Sequence, residues 1–112
     1  MKKDDSVYLR HIIDTFERIE HYTEGVSKED FFETELLQDA AIRQLEIMGE
    51  AASNLSDDLR LSNPQIPWRQ MVGLRNRVIH AYFEVNLQII WEVVKGDLPA
   101  LKKEIKRILL NG

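Results

Sequence analysis

Apolar side chains recur along this chain at three- and four-residue steps, the spacing of one face of an α-helix, with no run of strict alternation. Leu9, Ile12, Ile13, Phe16 and Ile19 make the first stripe, which Ser6 is expected to cap and Gly25 to stop. Ser27 followed by Asp30 resembles a capping box opening a short helix through Phe31 and Phe32. Thr34 is placed to cap a longer helix with the stripe Leu37, Ala41, Leu45, Met48, Ala52 and Leu55. Asp57 and Asp58 after Ser56 favour another short helix, which Asn63-Pro64 closes. Pro67 suits the first turn of a helix holding Trp68, Met71, Val72 and Val78. Asn86 caps the next, with Ile89, Ile90, Val93 and Val94 inward and Trp91 among them. Gly96 and Pro99 should kink or divide it, and Asp97 should recap a last piece that buries Leu98, Leu101, Ile105 and Ile108. The pattern predicts an all-α fold, an antiparallel bundle of four main helices plus short connecting helices, as one domain over 1–112.

Composition narrows the chemistry. The 112 residues contain no cysteine, which excludes disulfides, thiolate nucleophiles and cysteine zinc sites. The opening MKKDDSVYLR places acids straight after its basic pair, unlike a secretory signal. No apolar run approaches the about 20 residues a membrane-spanning helix needs. A soluble, cytoplasmic protein is expected.

Charge is distributed unevenly. The chain is acidic overall, with 15 Lys+Arg against 19 Asp+Glu, which argues against a general nucleic-acid coat protein. Yet Leu59 to Phe83 holds no acid while carrying Arg60, Arg69, Arg75 and Arg77. A basic window in an acidic chain points to an anion held at a defined place, unless its arginines pair with acids on neighbouring helices.

Inside that window Arg75, Asn76, His80 and Tyr82 gather a permanent cation, an amide, a group that titrates near neutrality and a phenol. Arginine forks onto phosphate oxygens and histidine moves protons at working pH, a pairing suited to phosphodiester chemistry. On a helix Asn76 and His80 share a face, Arg77 flanks it, and Arg75 lies about 140° away from His80. Arg75 would reach the same ligand through its length, a helix bend or a subunit contact. Tyr82 returns to the side of His80 only where the chain leaves the helix. The bland alternatives are a histidine that favours the helix end and a tyrosine at the edge of the core. His11 and His21 with Glu17 or Glu20 make a weak case for a metal, since only Glu17 and His21 have four-residue spacing. Glu50, beside Gly49, is either a partner for Arg75 or Arg77 or simply solvated, with pairing favoured because a glutamate that faces inward needs a cation.

Three segments, LQDAAIRQLEIMGEAA, IPWRQMVGLRNRVIHAYFEVN and IIWEVVKGDLPALKKEI, resemble the HepT-like branch of the HEPN superfamily, from about Leu37 to Ile105. The specific part is R-N-x-x-x-H-x-Y, present as Arg75, Asn76, His80 and Tyr82. The resemblance implies a helical homodimer acting as a ribonuclease toxin with no metal or other cofactor. It assigns catalysis to Arg75 and His80 with Asn76 in support, and with the basic window it assigns Arg69 and Arg77 to RNA. It also implies an MntA-like minimal nucleotidyltransferase antitoxin as partner, in a type VII-like pair, with Tyr82 as acceptor of AMP. The alternative it leaves open is a non-catalytic subunit presenting a substrate or RNA to a nucleotidyltransferase.

Overall fold

The computed structural model describes the backbone of residues 3–80 and 86–111 and the side chains of 4–74 and 86–111. Those residues contain no strand. In chain order they form α1 (Lys3–Thr23), α2 (Lys28–Glu33), α3 (Glu35–Ser53), α4 (Asp57–Ser62), α5 (Trp68–His80), α6 (Leu87–Glu92), a π turn (Val93–Asp97) and α7 (Leu98–Asn111). Four long helices and short connectors are thus the architecture the apolar spacing predicts. No helix among the described residues is long and apolar enough to cross a membrane.

The first stripe folds as α1 and is buried along its whole length from Leu9 to Ile19. It packs on α3, which presents Ala41, Leu45, Met48 and Ala52 to the same core, and on α7. The other side of α3 supports α5. Phe31 of α2 and the half-buried Trp91 of α6 meet at 5.3 Å between ring centroids and close one end.

Local caps explain most boundaries. Ser27 accepts from the Asp30 N–H at 3.0 Å, and Ser56 accepts from the Leu59 N–H at 3.2 Å. Asn86 accepts from Gln88 and Ile89 N–H groups at 3.0 and 3.3 Å. Gly25, at φ +70°, takes the left-handed conformation after α1 that an L side chain adopts with strain.

Four sequence expectations need correction. Ser6 does not cap α1, because the helix is already formed at Lys3 and places Asp4 and Asp5 in its first turn. Thr34 stands at the start of α3 without capping it; its hydroxyl donates back to the Asp30 carbonyl at 2.7 Å and closes α2 instead. Asp97 starts no new helix. The Leu98 N–H donates to the Val93 carbonyl, a five-residue reach, so the backbone widens into a π turn and runs on through Pro99. Widening is the physical answer to a proline that has no N–H and would crowd the carbonyl four residues earlier. Ile89 is 42% exposed rather than inward. The buried line runs Ile90, Val94, Leu98 in steps of four, which would drift by about 40° each in a pure α-helix and stay aligned across a wider turn.

Candidate active site on the fifth helix

The start of α5 is tightly anchored. The Asn63 side-chain amide donates to the Leu59 carbonyl at 3.0 Å, and the Trp68 indole N–H donates to the Asn63 carbonyl at 3.0 Å. Ile66, Trp68 and Met71 are buried, and the Met71 N–H donates to the Pro67 carbonyl at 3.0 Å. Proline there presets the backbone for the first turn and forfeits no helix bond. Val72 and Leu74 pack against the core from one turn further on.

Beyond Leu74 the backbone stays helical to His80, so Arg75, Asn76, Arg77 and His80 occupy the last two turns of one continuous helix. Asn76 and His80 stand one turn apart, and Arg75 is five positions before His80. The side chains of 75–80, and all of 81–85 including Tyr82, lie outside the described residues. The expected convergence of Arg75, Asn76, His80 and Tyr82 on one ligand therefore falls there too.

What adjoins the motif is described. A groove of about 650 Å³ opens between α5 and the α6–π–α7 helix. Gly73 and Leu74, immediately before Arg75, form part of its wall; Ile89, Val93, Gly96 and Leu101 face them. A Cβ added at Gly73 or Gly96 would meet nothing within 4 Å, so both glycines border open space. Arg69 and Asp97 contribute the charged side chains of this lining.

The basic window divides. Arg60 is engaged by Asp57 on its own short helix at 2.9 Å. Arg69 is exposed and forms no ion pair with a described residue. Glu50 is exposed on α3 rather than facing inward, and borders a shallow pocket with Tyr8, His11 and Arg43. The arginine side chains proposed to pair with it lie outside the described residues. His11 and His21 are exposed on α1, and Glu17 and Glu20 turn to Lys102 at 3.9 and 2.9 Å. No group of three or more His, Asp or Glu side chains with metal-holding geometry occurs among the described residues.

The sequence reading missed two polar groups that hold this framework. Asp5 is 3% exposed and accepts from the backbone N–H and hydroxyl of Ser56, at 2.8 and 2.6 Å. Lys95 donates to the Thr23 carbonyl at 2.9 Å while its ammonium lies 5.2 Å from the centre of the Trp91 ring.

Residues 12–108 match the family model described as "Ribonuclease HepT-like". The chain belongs to this HepT-like ribonuclease family. A protein of Thermococcus cleftensis named "Probable ribonuclease HepT" is 41% identical over 108 residues, covering 96% of this chain and 98% of that protein. A protein of Caldanaerobacter subterraneus subsp. tengcongensis, named "Putative RNase", is 41% identical over 102 residues, 91% of each chain. A Methanocaldococcus jannaschii protein, "Gamma-glutamylcyclotransferase and putative RNase", is 46% identical over 109 residues, 97% of this chain. The chain spans about half, 49%, of that relative, whose name joins two activities. No solved structure matches. The HepT-like match runs from the middle of α1 into the last turns of α7 and so includes the whole of α5.

Proposed function

We propose that this protein is a metal-independent endoribonuclease and the toxin of a toxin–antitoxin pair. The observation that carries the reading is a HepT-like match spanning the bundle, with R-N-x-x-x-H borne on the continuous helical backbone of α5. RNA brings its own nucleophile, so the protein has only protons and charge to manage. The 2′-oxygen attacks the adjacent phosphorus and gives its proton to a base; the 5′-oxygen leaves and takes a proton. The products end in a 2′,3′-cyclic phosphate and a 5′-hydroxyl. His80 serves in proton transfer, worth about 10²–10⁴-fold in such reactions. Arg75 steadies the charge that gathers on the phosphoryl oxygens, with Asn76 in support. Arg69 and Arg77 hold the flanking strand.

One histidine per chain falls short of an acid and a base together. A homodimer that brings two copies of α5 to one groove supplies both, and relieves the 140° separation of Arg75 from His80 on a single helix. Regulation in this reading falls to Tyr82. A nucleotidyltransferase partner directs its phenolic oxygen onto the α-phosphorus of ATP, pyrophosphate leaves, and the bound AMP sets a negative charge beside the arginines.

The test is cleavage of RNA by the purified chain in the presence of EDTA. Cyclic-phosphate ends, lost in His80→Ala and Arg75→Ala, are the expected result. Abolition by EDTA, or an unchanged rate in His80→Ala, would overturn the mechanism. RNA binding with no cleavage by the unaltered chain would favour the non-catalytic subunit.

A further inference from the structure

The groove between α5 and the α6–π–α7 helix holds opposite charges that do not close on each other. Arg69 and Gln70 stand on its α5 wall and Asp97 on the wall across from them. All three are exposed, and none forms an ion pair or a side-chain hydrogen bond with a described residue. Unpaired charge is common on a protein surface; what sets these three apart is the cavity they share. Its floor is apolar and buried, with Met48 and Met71 at 0% and 2% exposure. Thioether sulfurs make favourable contacts with aromatic rings. Its volume of about 650 Å³ lies within the range of small-ligand sites, about 300–1,000 Å³. Gly73 and Gly96 border it from the two walls with open space where a side chain would stand.

The groove is also in register with the motif. Arg69, Gly73, Asn76 and His80 follow one another at steps of four, three and four on the continuous backbone of α5. Those steps put the four positions within a sector of about 60° around the helix. His80 stands about 10 Å beyond Gly73 along the axis. A strand whose phosphate reaches the motif therefore brings a neighbouring base to the groove.

We propose that this groove is a guanine subsite that sets where the strand is cut. Ionised Asp97 only accepts hydrogen bonds. Guanine presents two adjacent donors on its Watson–Crick edge, N1–H and the 2-amino group, and they match the two carboxylate oxygens; single-stranded RNA leaves that edge free to be read. Uracil offers one donor between two carbonyl oxygens that a carboxylate repels, and adenine and cytosine offer an amino group alone. From the facing wall the Gln70 amide donates toward N7 or O6 of the base, and Arg69 holds a phosphate of the same strand. The inference rests on the ribonuclease reading above and adds a base preference to a mechanism that otherwise recognises only ribose and phosphate.

The experiment uses strands of about ten uridines carrying a single guanosine, inosine, adenosine or cytidine at the centre. Inosine keeps the purine ring and lacks only the 2-amino group. With the unaltered chain, cleavage should concentrate at one bond fixed relative to the guanosine, and kcat/KM there should fall about tenfold on exchange to inosine. Asp97→Asn puts a donor where guanine donates and should level the guanosine and inosine strands. Gly96→Leu fills the groove from its own wall and should level every strand while Tm holds. The same strands in 2′-O-methyl form, which have no nucleophile, should bind in the same order of preference. Equal rates and affinities for guanosine and inosine would overturn the subsite and leave the ribonuclease reading intact. A preference that follows adenosine or cytidine, or that survives Asp97→Asn, would do the same. A homodimer that Gly96→Leu splits, with no base preference in the unaltered chain, would give the groove to a second copy of this chain and overturn the subsite. A chain that separates guanosine from inosine in binding yet cuts neither would defeat the ribonuclease reading and keep the subsite. A chain that neither binds nor cuts any strand would overturn both.

Discussion

The α1–α3 side of the bundle and the α5–α7 face are built from the same residue types put to different use. On the first, several buried and half-buried polar groups are consumed by the fold. Thr15 and Thr23 donate to the Ile12 and Ile19 carbonyls at 2.6 and 2.8 Å, Asp5 holds Ser56, and Lys102 answers two glutamates. On the second, Arg69 has no ion-pair duty among the described residues, and the groove it borders is walled largely by apolar side chains and glycine. The contrast also separates stability from function, since a substitution on one side should change folding and on the other only RNA handling.

The strongest break in that separation would come from the motif itself. His80→Ala and Arg75→Ala should each lower cleavage by about 10²–10⁴-fold while leaving the melting temperature nearly unchanged. A variant that loses activity only by unfolding would return His80 to the bland role of helix-end anchor. The mirror case is Phe16, fully buried on α1. Phe16→Ala should cost about 3–5 kcal/mol in denaturant unfolding through lost burial and the cavity left behind. Its residual folded fraction should bind RNA with unaltered affinity.

Asp5→Ala should come next, at about 1–3 kcal/mol, because the Ser56 N–H loses a partner at a partly buried site. The measured quantity is the urea midpoint, with the unfolding slope unchanged. A neutral effect would mean that water or a neighbour satisfies Ser56, and would weaken the claim that this side of the molecule consumes its polar groups.

Asp5 also shows where reading the chain in order runs out. Ser27, Ser56, Asn86 and Gly25 were legible because capping is local: donor, acceptor and backbone conformation lie within a few residues. Asp5 finds its partner 51 positions away, and neither residue alone indicates the other. Ile89 failed for a related reason, since helical phase was counted at a constant pitch and the π turn before Pro99 changes that pitch. At the candidate site, residue type and spacing pointed to α5, and family membership supports a ribonuclease. The groove was not legible, because it needs the α6–π turn and the start of α7 to lie across from α5 and leave Gly73 and Gly96 bordering the same open space.

The smallest effect gives the sharpest comparison, because it sets two exposed cations against each other. Lys95 lies in the π turn and Arg69 in the first turn of α5, and both are exposed by residue. Lys95 nevertheless has a structural duty. Its ammonium donates to the Thr23 carbonyl at the end of α1, where the helix leaves acceptors without intrahelical partners and concentrates negative partial charge. The Trp91 ring supplies a second favourable contact for the same ammonium. Lys95→Ala should therefore lower stability by about 0.3–1 kcal/mol, seen as a small drop in Tm, and leave the RNA salt slope where it was. Arg69→Ala should do the reverse, holding Tm and flattening the slope by about 0.7. Exposure alone would make the two substitutions indistinguishable, so a crossed pair of results would separate a cation spent on the fold from one left to the RNA. Identical effects in both assays would remove that distinction, and with it the reason for assigning Arg69 to RNA.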